Sequence, residues 1–302
     1  MHIQSLSIVV PSKGCINKCP FCVSRMVGSD GYENLMDINH PYYDINVREY
    51  LKRMCFVADN GCQTLMLTGT AEPQQNKQFL ATFALLHQQI GSPFTNIEMQ
   101  TTGFRLDCDR DYIRFLRNFV GVNTIALSIN SLDNTVNCAI LGHEPEYNPI
   151  TGRPVAEFRL DMLCDLLKEY DFNIRCCFNL SSAFDQMEVE EIFNAAKNKY
   201  HANQVTFRKL YSSSSETEQG EWIKKNAVSQ STVHEIETYL AGSPVIGKTM
   251  YGATCYDVNG MSVIYDQDCM GKNPETDVKK YLILRPNCKL YSQWDSKASL
   301  VF

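Results

Sequence analysis

No apolar run in this sequence approaches the roughly 18 residues that cross a bilayer, which excludes a transmembrane helix. The opening Met1-His2-Ile3-Gln4 has no basic stretch leading into an apolar one, so no secretory leader is expected and the location is expected to be cytoplasmic. Positive charge is scarce as well: 28 Lys and Arg stand against 34 Asp and Glu, for a net charge of −6. An acidic chain repels nucleic-acid backbones and anionic lipid, so neither nucleic acid nor membrane is an expected partner. Internal repeats and low-complexity linkers are missing too, which excludes a solenoid.

What is there is globular material: 302 residues, 44% apolar, enough to bury a sizeable core in one large domain or two small ones. Cysteine is plentiful at 13, an odd number that no closed disulfide framework accommodates. A reducing compartment keeps such thiols free, so the expectation is a few metal ligands and a remainder of small buried hydrophobes.

Up to residue 210 short β-rich runs alternate with amphipathic ones. Strands are expected over Ser5–Val10, Thr64–Leu67, Asn96–Thr101, Thr124–Ile129, Asn173–Leu180 and Gln204–Leu210. Helices are expected over Val47–Asn60, Lys77–Ile90, Asp109–Phe119, Glu157–Tyr170 and Glu188–Tyr200. In the fourth of these, Leu160, Leu163, Cys164 and Leu167 form one apolar stripe at i, i+3, i+4, i+7. Asp109 and Asp185 stand where a carboxylate accepts the free N–H groups of a helix start.

Alternation of this kind means an α/β fold with a parallel sheet and right-handed crossovers. A full eight-fold barrel takes ~250 residues, so a partial (βα)6 TIM-like barrel fits the first 210 better. Residues 211–302 change texture. One helix (Thr232–Leu240), a strand at Tyr256–Tyr265 and a hairpin of Tyr281–Leu284 with Lys289–Tyr291 read as a small α+β cap over the barrel mouth. The expected units are therefore 1–210 and 211–302.

The most informative stretch is Cys15-Ile16-Asn17-Lys18-Cys19-Pro20-Phe21-Cys22. Three thiols spaced C-x3-C-x2-C follow the first strand directly, at the end of a parallel sheet where ligands bind. Such thiols hold a soft metal centre, either zinc or an iron–sulfur cluster. Structural zinc needs a fourth ligand, from His40 or a distant Cys, and no second Cys-x-x-Cys follows at finger spacing. Three ligands alone suit a [4Fe–4S] cluster with one iron open.

The motif resembles the signature of the radical SAM enzymes, C-x3-C-x-aromatic-C after the first barrel strand, and Cys15, Cys19, Phe21 and Cys22 match every position. The resemblance implies one [4Fe–4S] cluster on the three cysteines and S-adenosylmethionine (SAM) on the fourth iron. It implies reductive cleavage to a 5′-deoxyadenosyl radical that abstracts a hydrogen atom, with a reductant such as flavodoxin or ferredoxin as partner. The general texture is nearest to the molybdenum-cofactor cyclase and peptide-modifying branch. Thr68-Gly69-Thr70-Ala71-Glu72-Pro73, after the second strand, resembles the family's Gly-Gly-Glu-Pro element, although Ala71 stands where Gly is usual. By resemblance, Gly69, Thr70 and Glu72 meet the SAM amino group. Ser128 and Asn130, two apart on one strand face, are candidates for its ribose and carboxylate, joined by Gln100 and Thr102. Arg175 offers a bidentate fork for the carboxylate, and the strand at Val205 an edge for adenine.

Other cysteines carry less. Cys55, Cys62, Cys108, Cys138 and Cys164 are expected to pack, and adjacent Cys176 and Cys177 point to opposite strand faces. Cys255, Cys269 and Cys288 stand where relatives carry auxiliary clusters, but without any close pair, so no second cluster is expected. His143, Tyr147, Arg153, Tyr211 and Trp222 are candidate substrate contacts. Peptide, nucleotide and small metabolite all stay open as substrates, as does a non-catalytic zinc module.

Overall fold

The computed structural model describes residues 1–26, 45–143, 150, 158–211, 216–249, 253–266, 278–294 and 296–302. Six strands rise in chain order: β1 (Ser5–Val9), β2 (Thr64–Thr68), β3 (Asn96–Thr101), β4 (Thr124–Ile129), β5 (Asn173–Leu180) and β6 (Gln204–Lys209). Each pairs in parallel with the next. Around them run α1 (Val47–Asp59), α2 (Lys77–Gln89), α3 (Arg110–Arg114), α4 (Asn134–Ile140), α5 (Leu160–Glu169) and α6 (Val189–Asn194). This is the partial α/β barrel expected, with α4 as an unforeseen short helix.

Asn46, Asn76, Asp109 and Asp133 each accept a backbone N–H three residues on, which starts the first four helices. Helices α3 and α6 both end in a wider π-type turn, at Phe115–Val120 and Ala195–Lys199.

The C-terminal region contributes α7 (Glu218–Lys225), α8 (Gln230–Ala241), β7 (Val245–Lys248), β8 (Thr254–Val258), β9 (Met261–Asp266), β10 (Leu282–Leu284) and β11 (Leu290–Tyr291). The main sheet runs β11-β10-β1-β2-β3-β4-β5-β6-β9-β8-β7. Strand β10 lies parallel to β1, and β9 lies parallel to β6. The six-unit core thus gains a parallel strand on each side, both from residues after 211. The single strand expected at Tyr256–Tyr265 is in fact a hairpin of β8 and β9, turned at Asn259 and Gly260, whose φ angles of 54° and 75° define a tight reversal. The β10–β11 hairpin forms as expected, with Ile283 opposite Tyr291. Asp185 does not start α6, which begins after Glu188 with no side-chain cap. Its carboxylate accepts from Ser229 N and Thr232 Oγ1, both at 2.9 Å, and so ties the end of β5 to α8.

A parallel sheet covered by helices buries both faces, and all five residues of β1 are buried. Alternation sends Leu6, Ile8, Ile97, Met99, Ile125, Leu127, Cys176, Val205 and Phe207 outward into one core against the helices. The intervening positions face the barrel interior, where Glu98 and Arg175 pair at 2.6 Å. A second apolar cluster joins Val9 of β1, Ile283 of β10 and Ile223 of α7, with Phe21 and Trp222 packed against it. It brings the C-terminal region against the cysteine loop.

Candidate active site

One cavity opens at the C-terminal ends of the parallel strands. Its lining includes Cys15, Cys19, Phe21 and Cys22 from the loop after β1, and Gly69, Thr70 and Glu72 from the turn after β2. Gln100, Thr102, Ser128 and Asn130 complete its wall from β3 and β4. The structure therefore collects ten of the twelve site residues read from the sequence, and Thr102 besides.

Arg175 and Val205 are the two it does not collect. Arg175 sits deeper in the barrel, held by Glu98 and by Gln204 Oε1, which its Nε meets at 2.8 Å. Strand parity turns Val205 outward into the helix-facing core, where it is 1% exposed. In their place Asn179 and Arg208, on the inward faces of β5 and β6, reach the cavity, with Tyr211 just beyond. Their signal was the two-residue period from Arg175 to Asn179 and from Gln204 to Arg208.

The three motif thiols are free and half-buried. Burial pushes the Cys15 thiol up, opposed by hydrogen bonds from the backbone of Asn17 and Glu72. Burial pushes Cys19 up to about 12, helped by the neighbouring Cys22 and Cys15. A metal displaces the protons of its thiol ligands when it binds. A zinc ion needs its donors within about 2.0–2.3 Å. Among the described residues no group of three His, Cys, Asp or Glu is drawn together to hold a single ion. A four-iron cluster is a larger body and spreads its ligands around itself. Three thiols on one loop are the soft donors that such a cluster takes, so the residues present fit it.

The turn after β2 has equally specific geometry. A Cβ on Gly69 would stand 2.8 Å from Val10 O and 3.2 Å from Ala71 O, both backbone, so glycine keeps this edge open to the cavity. Glu72 is 6% exposed. Its Oε1 accepts from Asn17 Nδ2 at 2.7 Å and Thr102 N at 3.1 Å. Thr101 Oγ1 lies 2.5 Å from both Glu72 Oε2 and Gln74 Oε1, and Gln74 Nε2, donating to Phe104 O, fixes the amide the right way round. One hydroxyl proton cannot serve two acceptors. Burial pushes the Glu72 carboxyl up from the usual carboxylate range, opposed by hydrogen bonds from Thr101, Thr102 and Asn17. Asn130 is held in turn: its N–H donates to Asn137 Oδ1 at 2.8 Å, and Asn179 Nδ2 donates to its Oδ1 at 3.0 Å.

The radical SAM superfamily profile matches residues 9–181, more than half of the chain, from the end of β1 to the end of β5. The chain belongs to the radical SAM superfamily. That family implies a [4Fe–4S] cluster, SAM and a source of electrons. Solved structures share the fold. SuiB of Streptococcus suis superposes with a TM-score of 0.58 at 11% identity over 96% of this chain and 60% of its own. For anSMEcpe with bound AdoMet the TM-score is 0.59 at 13% identity, covering 98% of this chain and 77% of that one. A radical SAM methyltransferase from Sphaerobacter thermophilus gives 0.51 at 13% identity, over 88% and 66%. The chain thus spans only about 60% of the length of SuiB. No curated protein matches it by sequence.

Of the other sequence candidates, Tyr211 lines the cavity and Trp222 packs on Phe21 with ring centroids 5.6 Å apart. His143 meets Asn17 rather than open space. Tyr147, Arg153, His40 and Cys269 lie outside the described residues. Cys255, on β8, bonds Ser262 Oγ at 3.0 Å, and Cys288, at the β10–β11 turn on the other side of the sheet, lies 3.7 Å from the carbonyls of Asn46 and Pro286. Cys62, Cys138, Cys164, Cys176 and Cys177 are buried as expected, whereas Cys55 is half-buried and Cys108 exposed.

Proposed function

We propose that this radical SAM enzyme carries one [4Fe–4S] cluster on Cys15, Cys19 and Cys22, cleaves SAM reductively and abstracts a hydrogen atom from a peptide. The carrying observation is the convergence of three half-buried thiols and the β2–β4 turn residues on one cavity at the C-terminal ends of the strands. When bound, the cluster supplies an electron to SAM and so generates the 5′-deoxyadenosyl radical.

The chain's own residues do the rest. The backbone edge at Gly69 and Thr70 takes the SAM amino group, beside Glu72. Ser128 and Asn130 take its hydroxyl groups, Asn130 being already oriented by Asn137 and Asn179. The SAM carboxylate goes to Arg208 in place of Arg175, since Arg208 lines the cavity and Arg175 is engaged with Glu98. Residues 211–302 act as the cap: α7 brings Trp222 onto Phe21 and shields the cysteine loop from water. The separation of Cys255 from Cys288 across the sheet supports a single cluster. A flavodoxin or ferredoxin is the proposed electron source. Peptide is favoured over nucleotide because anSMEcpe, of like fold, is also known with peptides bound, and because the chain is acidic.

The test is anaerobic reconstitution with iron and sulfide. About four irons per chain, absorbance near ~400 nm and reductant-dependent release of 5′-deoxyadenosine are expected. Colourless protein with about one zinc per chain would refute the reading in favour of a zinc module.

A further inference from the structure

The cysteine loop contains one side chain with no part in the chemistry above. Asn17, between Cys15 and Cys19, is 2% exposed. Its Nδ2 donates to Glu72 Oε1 at 2.7 Å and to Thr102 Oγ1 at 3.1 Å. That fixes the amide orientation, because Glu72 Oε1 only accepts. The Asn17 Oδ1 consequently faces His143 Nε2, 2.7 Å away, and His143 must donate. The His143 ring is itself immobilised flat on Phe104, with centroids 3.4 Å apart and planes 1° from parallel. Backbone contacts follow the same pattern: Lys18 N donates to Leu141 O at 2.8 Å, and Arg25 Nη2 donates to Asn17 O at 2.7 Å.

We propose that Asn17 is the positioning residue of the cysteine loop, clamped between Glu72 on one side and His143 on the other. Resting on the cluster assignment above, the clamp sets the spacing of the thiols before any iron arrives. Asn17 has Cys15 two residues before it and Cys19 two after, so anchoring its side chain restrains the backbone that carries both thiols. Glu72 then serves the site by anchoring the loop, because both its oxygens are taken by protein donors or acceptors. His143 is a second positioning residue, remote in sequence and bonded to the Asn17 amide. Nothing about the pattern suits a mere packing role: a buried amide satisfied on both ends, from two different loops, specifies one orientation.

The experiment compares Asn17→Ala, His143→Ala and His143→Gln in the full chain. Before reconstitution, His143→Ala is expected to speed hydrogen exchange of the amides in residues 14–23 by about tenfold, the effect of one lost buried hydrogen bond, while α5 stays unchanged. Glutamine keeps a donor for the same oxygen, so His143→Gln is expected to stay within about threefold of wild type. After reconstitution both alanine variants are expected to release iron to a chelator about tenfold faster, and to alter the electron paramagnetic resonance spectrum of the reduced cluster. Wild-type exchange in both alanine variants, or failure of His143→Gln to rescue, would overturn the clamp. A wild-type chain that takes up no iron–sulfur cluster overturns the functional reading instead, and the exchange measurement still decides the clamp.

Discussion

Gly142 offers a sharp test of how closely the loop after α4 holds the cysteine motif. Its φ is +82°, and a Cβ there would stand 2.6 Å from Lys18 Cβ and 3.3 Å from Lys18 Cα. Carbon atoms rest about 3.5–4.0 Å apart, so in Gly142→Ala Lys18 must retreat by about 1 Å. The retreat strains the Lys18 N–Leu141 O hydrogen bond beside it, at 2.8 Å. The left-handed backbone costs an alanine about 1–2 kcal/mol, and the hydrogen bond about 1 kcal/mol more. Gly91 supplies the control, with a φ of +81° and nothing within 4 Å of its would-be Cβ. Gly91→Ala therefore carries only the backbone part. Thermal unfolding of the two variants is expected to differ by about 1–2 °C, with Gly142→Ala the lower. Because Lys18 adjoins Cys19, Gly142→Ala also holds reconstituted iron less firmly, whereas Gly91→Ala holds it as wild type does. Equal melting temperatures and equal iron retention in the two variants would refute the steric argument.

Three further outcomes are expected. Replacing Cys15, Cys19 and Cys22 together by Ala removes all iron and all 5′-deoxyadenosine; about four irons left on that variant would reveal a second cluster. Cys255→Ser and Cys288→Ser leave the iron content of reconstituted protein unchanged, as metal analysis would show. Glu98→Ala removes the carboxylate that pairs with Arg175 inside the barrel, where Glu98 is 4% exposed. Because the Arg175 side chain is still 30% exposed, the expected cost is about 2–3 kcal/mol, toward the lower end for a buried pair; an unchanged denaturation midpoint would contradict it.

Some of this site is legible in the sequence because its chemistry is local. Cys15 to Cys22 are eight consecutive residues after one strand, and Thr68–Pro73 follow another directly. The Asn259-Gly260 turn was equally legible, since Asn-Gly between apolar runs is a strong hairpin signal that the reading of one long strand passed over. Arg175 stands apart from the cavity lining for a different reason. Arg175 and Arg208 both face the barrel interior, and depth decides between them: Arg175 is the third residue of its strand and Arg208 the fifth of its own. Depth depends on register, which sequence alone does not supply. Asn17 was hidden because its partners Glu72 and His143 are 55 and 126 residues away.

The two added parallel strands bear on how this chain reaches its folded state. Leu6 pairs in register with Leu282, and Gln204 with Ser262. At roughly 5–20 residues per second, the partner of β1 leaves the ribosome tens of seconds after β1 itself. Once β6 has been made, the nascent six-stranded sheet presents bare hydrogen-bonding rims at β1 and β6 until β9 and β10 follow, open to any passing extended chain. The sheet thus has a late-sealing topology, in which pairings far apart in sequence close the rims last.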